Sequence, residues 1–419
     1  MELPRMELPH IVKIRQALPP DHIGDIAGEL HRSLAAAGLG DKLKAGQRVA
    51  VTAGSRGMGC FSTILRAIVA EVQACGAEPF LTPTMGSHGG ATAEGQVGIL
   101  NGYGITEETI GCPIRATMDT VCLGRTANGA EVHYGQYAYE ADATIVVGRC
   151  KTHPILHEGN GSGLLKMTTI GLGKQKGAQE AHAHGLSESV QQAPKVALAK
   201  GNVILGVNVV ENGYRQPYHI EVVAPQDFWD SDHRCLELAR AFVARVPFEE
   251  LDVLVISFIG KNISGGGMDP NITGFWRAEG EGARVPDFKR IVVLDLTEET
   301  QGNALGVGQA DFTTRRLVEK IDHAATTINM LTATSRTGRL IEAAVPIALD
   351  TDREAIEVAL RAAVPAGAPR VCWIKNTDEL GELWVSEALL PEARQNPRLE
   401  VLGEPGPWPF NTTGNTDWR

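Results

Sequence analysis

Short apolar runs alternate along this chain with longer segments whose apolar positions recur every three or four residues. RVAVTAG (48–54) is nearly continuous in small and branched apolar residues, which predicts a strand buried on both faces. The next segment, CFSTILRAIVAEVQACG (60–76), has helical apolar spacing and stops at Gly76. EPFLTPTMGSHGG (78–90) returns to an extended run that ends in glycines. TAEGQVGILNGYG (92–104) predicts a helix, and ADATIVVGRCKTH (141–153) a further strand with a loop behind it. Strand, loop, helix, strand is the order of a parallel α/β sheet, in which ligands bind beyond the carboxyl ends of the strands. That rule directs attention to three loops: GSRGMG (54–59), GSHGG (86–90) and KTHPILHEG (151–159).

The same alternation resumes after RCLELARAFVARV (234–246), which predicts a connecting helix. LDVLVISFIG (251–260), RIVVLDL (290–296) and RVCWIK (370–375) predict strands, and TTRRLVEKIDHAATTINML (313–331) and DREAIEVALRAAV (352–364) predict helices between them. The expected fold class is therefore α/β, with an N-terminal domain over 1–245, a C-terminal α/β domain over 246–405, and an irregular Pro-, Gly- and Asn-rich tail over 406–419.

Composition narrows the function classes. A net charge of −11 over 419 residues argues against broad nucleic-acid or anionic-membrane binding, while leaving room for a local basic pocket. The opening MELPRMELPH has no apolar run, and no stretch reaches the roughly 18 apolar residues of a membrane helix. The seven cysteines are scattered, with no Cys-x-x-Cys pair. A reduced, cytoplasmic setting is expected, with cysteines acting as small core residues and no thiolate zinc site.

Candidate chemistry concentrates in the loops. In GSRGMG the glycines allow a ligand close to the backbone, a helix follows, and Arg56 offers a planar fork for a carboxylate or phosphate. The spacing is not the dinucleotide fingerprint, and read alone the stretch is equally a tight turn with a solvated arginine. His88 in GSHGG sits among small residues at a strand end, where an imidazole can exchange protons near neutrality or simply be exposed. KTHPILHEGNGSGLLK (151–166) places His153 and His157 four apart, but Pro154 and the glycines favour a loop over a helical metal pair. Lys166 closes that stretch. His182 and His184 flank Ala183, so only one of them faces a given site; a neutral imidazole there suits nickel, zinc or copper, yet no Asp or Cys stands at ligand spacing to complete a cage. In KNISGGGMDPNITGFWR (261–277), Asp269, Asn271, Trp276 and Arg277 are candidates for a polar substrate or for an ordinary surface turn over a core.

Taken together and in this order, these stretches resemble the nickel-pincer-nucleotide-dependent lactate racemase family over residues 45–375. The resemblance implies two α/β domains with the active site in the cleft between them. It also implies a nickel-pincer nucleotide cofactor (the nickel complex of pyridinium-3,5-bisthiocarboxylic acid mononucleotide), to which the protein adds one histidine ligand. Arg56 matches the arginine that holds the substrate carboxylate, although the family's Asp-His-Thr-Arg run reads Ala53, Gly54, Ser55 and Arg56 here. His88 and His153 match the two acid/base histidines. Lys166 matches the lysine that joins the cofactor through a thioamide, although SGLLK stands where the family has SGG-x-K. His182 matches the nickel ligand, since 182 − 166 = 16 reproduces the family's interval; His184 is its rival. Arg277 stands where the family has a substrate-binding lysine, with Asn271 and Trp276 beside it, which implies a substrate other than lactate. Gly54, Ser55, Gly57 and Gly163 are expected to approach the cofactor.

The implied activity is an isomerase: a racemase or epimerase of a small 2-hydroxy acid working through hydride transfer and a 2-keto acid. Enzymes of cofactor biosynthesis would supply the nickel nucleotide, and a homo-oligomer is compatible with the reading. Two other functions also fit the residues: a zinc-dependent hydrolase on His153, His157 and His182 with Glu158 or Glu180 as base, and a non-enzymatic small-anion or nucleotide-binding protein.

Overall fold

The computed structural model describes residues 7–55, 59–153, 162–279, 282–334 and 340–418. The chain is α/β and divides into two compact units, Pro20–Val243 and a second made of Met1–Pro19 with Ala244–Arg419. The first strand, β1 (Ile11–Gln16), belongs to the second of these.

The Pro20–Val243 unit is built on strands β2 (Arg48–Ala53), β3 (Glu78–Pro83), β6 (Ala143–Arg149), β7 (Val203–Glu211) and β8 (Pro217–Val223), with β4 (Thr120–Arg125) and β5 (Glu131–Gly135) paired separately. The sheet order is β3-β2-β6-β7-β8. The first four strands run parallel, and β8 returns antiparallel to β7. The chain leaves β2 through the helix Phe61–Ala74 to reach β3 on one side, then later enters β6 on the other side of β2. The winding direction therefore reverses between β2 and β6.

The near-continuous apolar run of β2 has the reason expected of it. Val49, Val51 and Ala53 lie against Ile64, Leu65, Ile68 and Val72 of the crossover helix. Ala50, on the opposite face, shares a core with Val146, Leu164, Leu165, Leu172 and Val190. Both faces are covered, so from Val49 to Ala53 no position in the strand has water to face, and only Arg48 at its start is exposed.

In the other unit, parallel strands β9 (Glu250–Ile259), β10 (Asp287–Leu296), β11 (Phe312–Thr314), β12 (Ile347–Leu349) and β13 (Val371–Ile374) continue into antiparallel β14 (Glu382–Ser386), β1 and β15 (Leu399–Val401). The sequence groups residues 1–19 with the N-terminal domain, but β1 pairs with β14 and β15, so hydrogen bonding carries it into the other unit. The tail over 406–419, expected to be irregular, has little regular structure but is anchored. Trp373 holds Trp408 and Trp418 at ring-centroid distances of 5.5 and 5.1 Å, and Trp408 Nε1 donates to the Pro9 carbonyl at 3.0 Å. Among the described residues no helix is long and apolar enough to cross a membrane.

Candidate functional site

An open cavity of about 730 Å³, counted to its mouth, lies at the carboxyl ends of β2, β3 and β6. This is where the strand order reverses, the place at which open α/β sheets leave a crevice between diverging loops. Gly54 and Ser55 reach it from β2; Thr84, Met85 and His88 from β3; Arg149 and Lys151 from β6. The opposite wall is Ser162, Gly163, Lys166, Met167, Ile170 and Gly171.

Each wall is fixed by its own local chemistry. After β3 the chain turns through Gly86, Gly89 and Gly90 at φ of 58°, 68° and 63°, a left-handed conformation that favours glycine. The buried Gln96 donates its Nε2 to the carbonyls of Gly86 (3.0 Å) and His88 (3.3 Å), which holds the half-exposed His88 in place. Tyr103 donates its hydroxyl to the Ser55 carbonyl at 2.9 Å. Lys151 and Ser162 exchange both backbone hydrogen bonds, at 3.1 and 2.9 Å, and so bring the end of β6 to the start of the facing wall.

That wall is a helical segment that starts at Leu164–Lys166 and widens into a π-turn over Met167–Gly171. Its first two amides, Leu164 and Leu165, donate to the two carboxylate oxygens of Asp232 at 2.8 and 2.9 Å, and Asn208 Nδ2 donates to the same group at 2.8 Å. Burial pushes the Asp232 carboxyl up to about 6, against the pull of these donors. Gly163 is required beside it, since a Cβ there would lie 2.3 Å from Asp232 Oδ1. Thr168 and Thr169 return their hydroxyls to the Leu164 and Leu165 carbonyls at 2.8 and 2.9 Å, and the Leu172 amide reaches back five residues to Met167. The π-turn advances Met167, Ile170 and Gly171 into the cavity, a placement common for such turns at ligand sites.

The electrostatic character is one-sided. Arg149, Lys151 and Lys166 line the cavity, and no carboxylate is among the described lining residues. Behind the wall, Arg149 Nε lies 2.5 Å from the buried Glu211 carboxylate, which also accepts from the Gly59 amide at 2.7 Å. Lys166 Nζ is 3.4 Å from Ser162 Oγ. With the Arg149 charge met by Glu211, Lys151 and Lys166 leave the lining net positive, which with the local glycine backbone suits an anion. Lys151→Ala and Lys166→Ala are each expected to weaken binding of inorganic phosphate or a 2-hydroxy acid by about tenfold, and to flatten the dependence of affinity on ionic strength, read by titration calorimetry at two salt concentrations.

Next to the π-turn, Lys174 is buried with φ at 55°, and its Nζ donates to the carbonyl of Pro83, the last residue of β3. Burial pulls the ammonium down to about 8 from 10.5. The unfolded chain therefore binds more protons than the folded one between these values, so this group makes stability rise with pH across that window. Lys174→Met is expected to remove that rise, worth roughly 3 kcal/mol at most, in denaturant melts at pH 7.5 and 10.

The structure places the sequence-derived candidates unevenly. Gly54, Ser55, His88, Gly163 and Lys166 share the cavity. Arg56, Gly57, His157 and Glu158 lie outside the described residues. His153, 6% exposed, is two residues beyond Lys151 and does not line the cavity. His182 is half-buried near the end of the helix Lys174–Ala183 and is not in the lining either. His184 closes that helix; its Nδ1 is 3.0 Å from the Glu180 carbonyl and 3.4 Å from the Glu180 carboxylate.

In the other unit, Arg277 is engaged internally instead of being presented to a ligand. Its guanidinium donates to Asp311 at 3.0 Å and to the carbonyls of Gln309, Phe288 and Lys289. Trp276 donates Nε1 to Pro286 at 2.9 Å and carries Arg277 and Arg284 over its ring at 4.7 and 4.8 Å. Asn271 donates both its amide and its side chain to Asp269, in the first turn of a short helix. Sequence reasoning did not single out Arg149, Lys151, Met85 and Met167. The first two were within reach, because they stand where a predicted parallel strand ends.

Fold and cavity together describe an α/β protein with a lysine- and arginine-lined cavity at a switch point. Comparison with known proteins places that class as follows. A family profile described as a domain of unknown function (DUF362) matches residues 54–237, which span the whole cavity. The lactate racemase apoprotein from Thermoanaerobacterium thermosaccharolyticum is similar in structure, with a TM-score of 0.53 over 88% of this chain and 99% of that one, at 12% identity. At that identity the likeness is one of fold. No curated protein matches the sequence.

Proposed function

We propose that the protein is a racemase or epimerase of a small 2-hydroxy acid that works with a nickel-pincer nucleotide bound in the switch-point cavity. The observation that carries this reading is the meeting of His88, Lys166, Lys151 and Arg149 around one cavity with no carboxylate in its described lining. An anionic mononucleotide and a substrate carboxylate both need such a lining. At Gly54 a Cβ would lie 3.1 Å from Met167 Cε, so glycine keeps the cavity open there for a flat group.

The fit is to the anionic part of the cofactor: Lys166, Lys151 and Gly163 would hold it. The resemblance assigns the metal's imidazole to His182, on the interval shared with the family, although His182 lies outside the described lining. The chemistry the bound group supplies is acceptance and return of hydride at the carbinol carbon. The protein's part is proton transfer and positioning. His88 takes the hydroxyl proton at its imidazole and gives it back; the resemblance assigns the second base to His153, which is buried two residues beyond the lining residue Lys151. Arg56 and Arg149 orient the carboxylate, so that the reacting carbon is presented in one pose to either base. Arg277 is committed to Asp311 and to neighbouring carbonyls, so it is not assigned to the substrate.

The test is to produce the chain together with the cofactor-biosynthesis enzymes and incubate it with single enantiomers of 2-hydroxy acids in heavy water. Racemisation with the carbinol hydrogen retained supports the proposal. Racemisation with solvent deuterium at that carbon rules out hydride transfer. Binding of the nucleotide with no turnover of any acid leaves the non-enzymatic nucleotide-binding reading.

A further inference from the structure

The strand β8 and the helix Phe228–Phe242 carry a second cluster, away from the cavity, that no motif announces. We propose that His219, Glu221 and Cys235 form a binding site for a zinc-like divalent ion. His219 and Glu221 are two apart on β8 and so face the same side of the strand, towards the helix that carries Cys235. One ligand atom from each lies within 4.8 Å of the other two.

One of these distances is already that of a shared ion. Cys235 Sγ stands 3.5 Å from Glu221 Oε2. Tetrahedral zinc, with Zn–S about 2.3 Å and Zn–O about 2.0 Å, holds its sulfur and oxygen ligands about 3.5 Å apart. Thiol and carboxylate are therefore already spaced to share an ion. The carboxylate is also oriented in advance: Arg234 grips Oε1 from Nε at 3.2 Å and Nη2 at 2.6 Å, and Ser231 donates to Oε2 at 2.7 Å. Such outer partners fix a ligand's direction without occupying the metal's position. His219 is half-buried at the rim, where its ring completes a third position and leaves a fourth to water.

Burial, and then the Glu221 carboxylate, push the Cys235 thiol up to about 12, so the ion takes the place of a proton. Binding breaks the S–H bond, forms the metal–sulfur bond and releases that proton to solvent, with no change of oxidation state. One thiolate and one carboxylate neutralise the divalent ion, and the mixed sulfur, nitrogen and oxygen set suits zinc or cobalt over magnesium or calcium. The site bears on the cavity through one element. Asp232, three residues before Cys235 on the same helix, holds the amides of Leu164 and Leu165. An ion at Cys235 would anchor that helix to β8.

The test is a titration of the full chain with cobalt(II) under reducing conditions, after treatment with a chelator. The expected result is a thiolate-to-cobalt charge-transfer band in the near ultraviolet, saturating at one equivalent and displaced by zinc. The band should persist in Cys150→Ser, whose thiol shares an apolar cluster with Cys235, and vanish in Cys235→Ser. His219→Ala should weaken cobalt binding by roughly tenfold or more. No band at saturating cobalt, or a band that survives in Cys235→Ser, overturns the proposal. Should Cys235→Ser not fold, the rim variant decides, and unchanged cobalt affinity in His219→Ala overturns it. A cavity-bound ion cannot produce the signal, since no cysteine is among the described lining residues.

Discussion

His88→Ala is expected to lower turnover of a 2-hydroxy acid by about 10²–10⁴-fold, while phosphate binding in the same cavity changes by less than about threefold. The two halves of that result come from different residues. The imidazole is the one described lining group able to exchange a proton near neutral pH, and alanine removes it completely. The positive lining of Arg149, Lys151 and Lys166 is untouched, and Gln96 holds the loop through the carbonyls of Gly86 and His88. Chiral chromatography and calorimetry on the same preparation check both halves. A variant that keeps full turnover removes His88 from the chemistry. A variant that loses anion binding as well assigns the ring a structural task.

Gly163→Ala is the second large effect, expected to destabilise the Pro20–Val243 unit by about 2–4 kcal/mol and to weaken anion binding with it. The new Cβ would sit 2.3 Å from Asp232 Oδ1, an oxygen that accepts from the Leu164 amide and from Asn208. Either the carboxylate or the chain must move, and both routes leave a buried ionisable group with fewer donors. The wall carrying Lys166 and the π-turn starts at those amides, so the cavity loses its shape together with the stability. Thermal melts and phosphate titration measure the two losses.

Asp232→Asn separates charge from shape in the same place. The folded carboxyl titrates at about 6 against 3.8 for its usual value, so the folded protein binds more protons between those limits. Stability contributed by this group therefore falls as pH rises through that window, by roughly 3 kcal/mol in all. The asparagine variant is expected to lack that slope while keeping the carbonyl acceptor for one of the two amides. Urea melts at pH 4.5 and 7 are the measurement.

The amino-acid sequence by itself determined part of the element set, among it β2, β3, β6, β9, β10 and β13. Strands β1, β4, β5, β7 and β8 were not read from it, and the helix expected over 313–331 is a short strand followed by two helices. The apolar run of β2 and the three-and-four spacing of Phe61–Ala74 are statements about how many faces a segment buries, and periodicity encodes that directly. The glycines after β3 were visible too, and Gly86, Gly89 and Gly90 take up the left-handed conformation that glycine permits. Even the importance of strand ends was legible, because a parallel sheet leaves its loops on one side. What periodicity does not encode is which segment buries which. The reversal between β2 and β6, which opens the cavity and gathers residues 54–55, 84–88, 149–151 and 162–171, depends on strand order and so on contacts between distant segments. The same reason sends β1 to the far unit, turns Arg277 inward to Asp311, and sets Cys235 against Glu221. Each of these is a pairing of surfaces that no local window of sequence contains, and only the folded chain decides it.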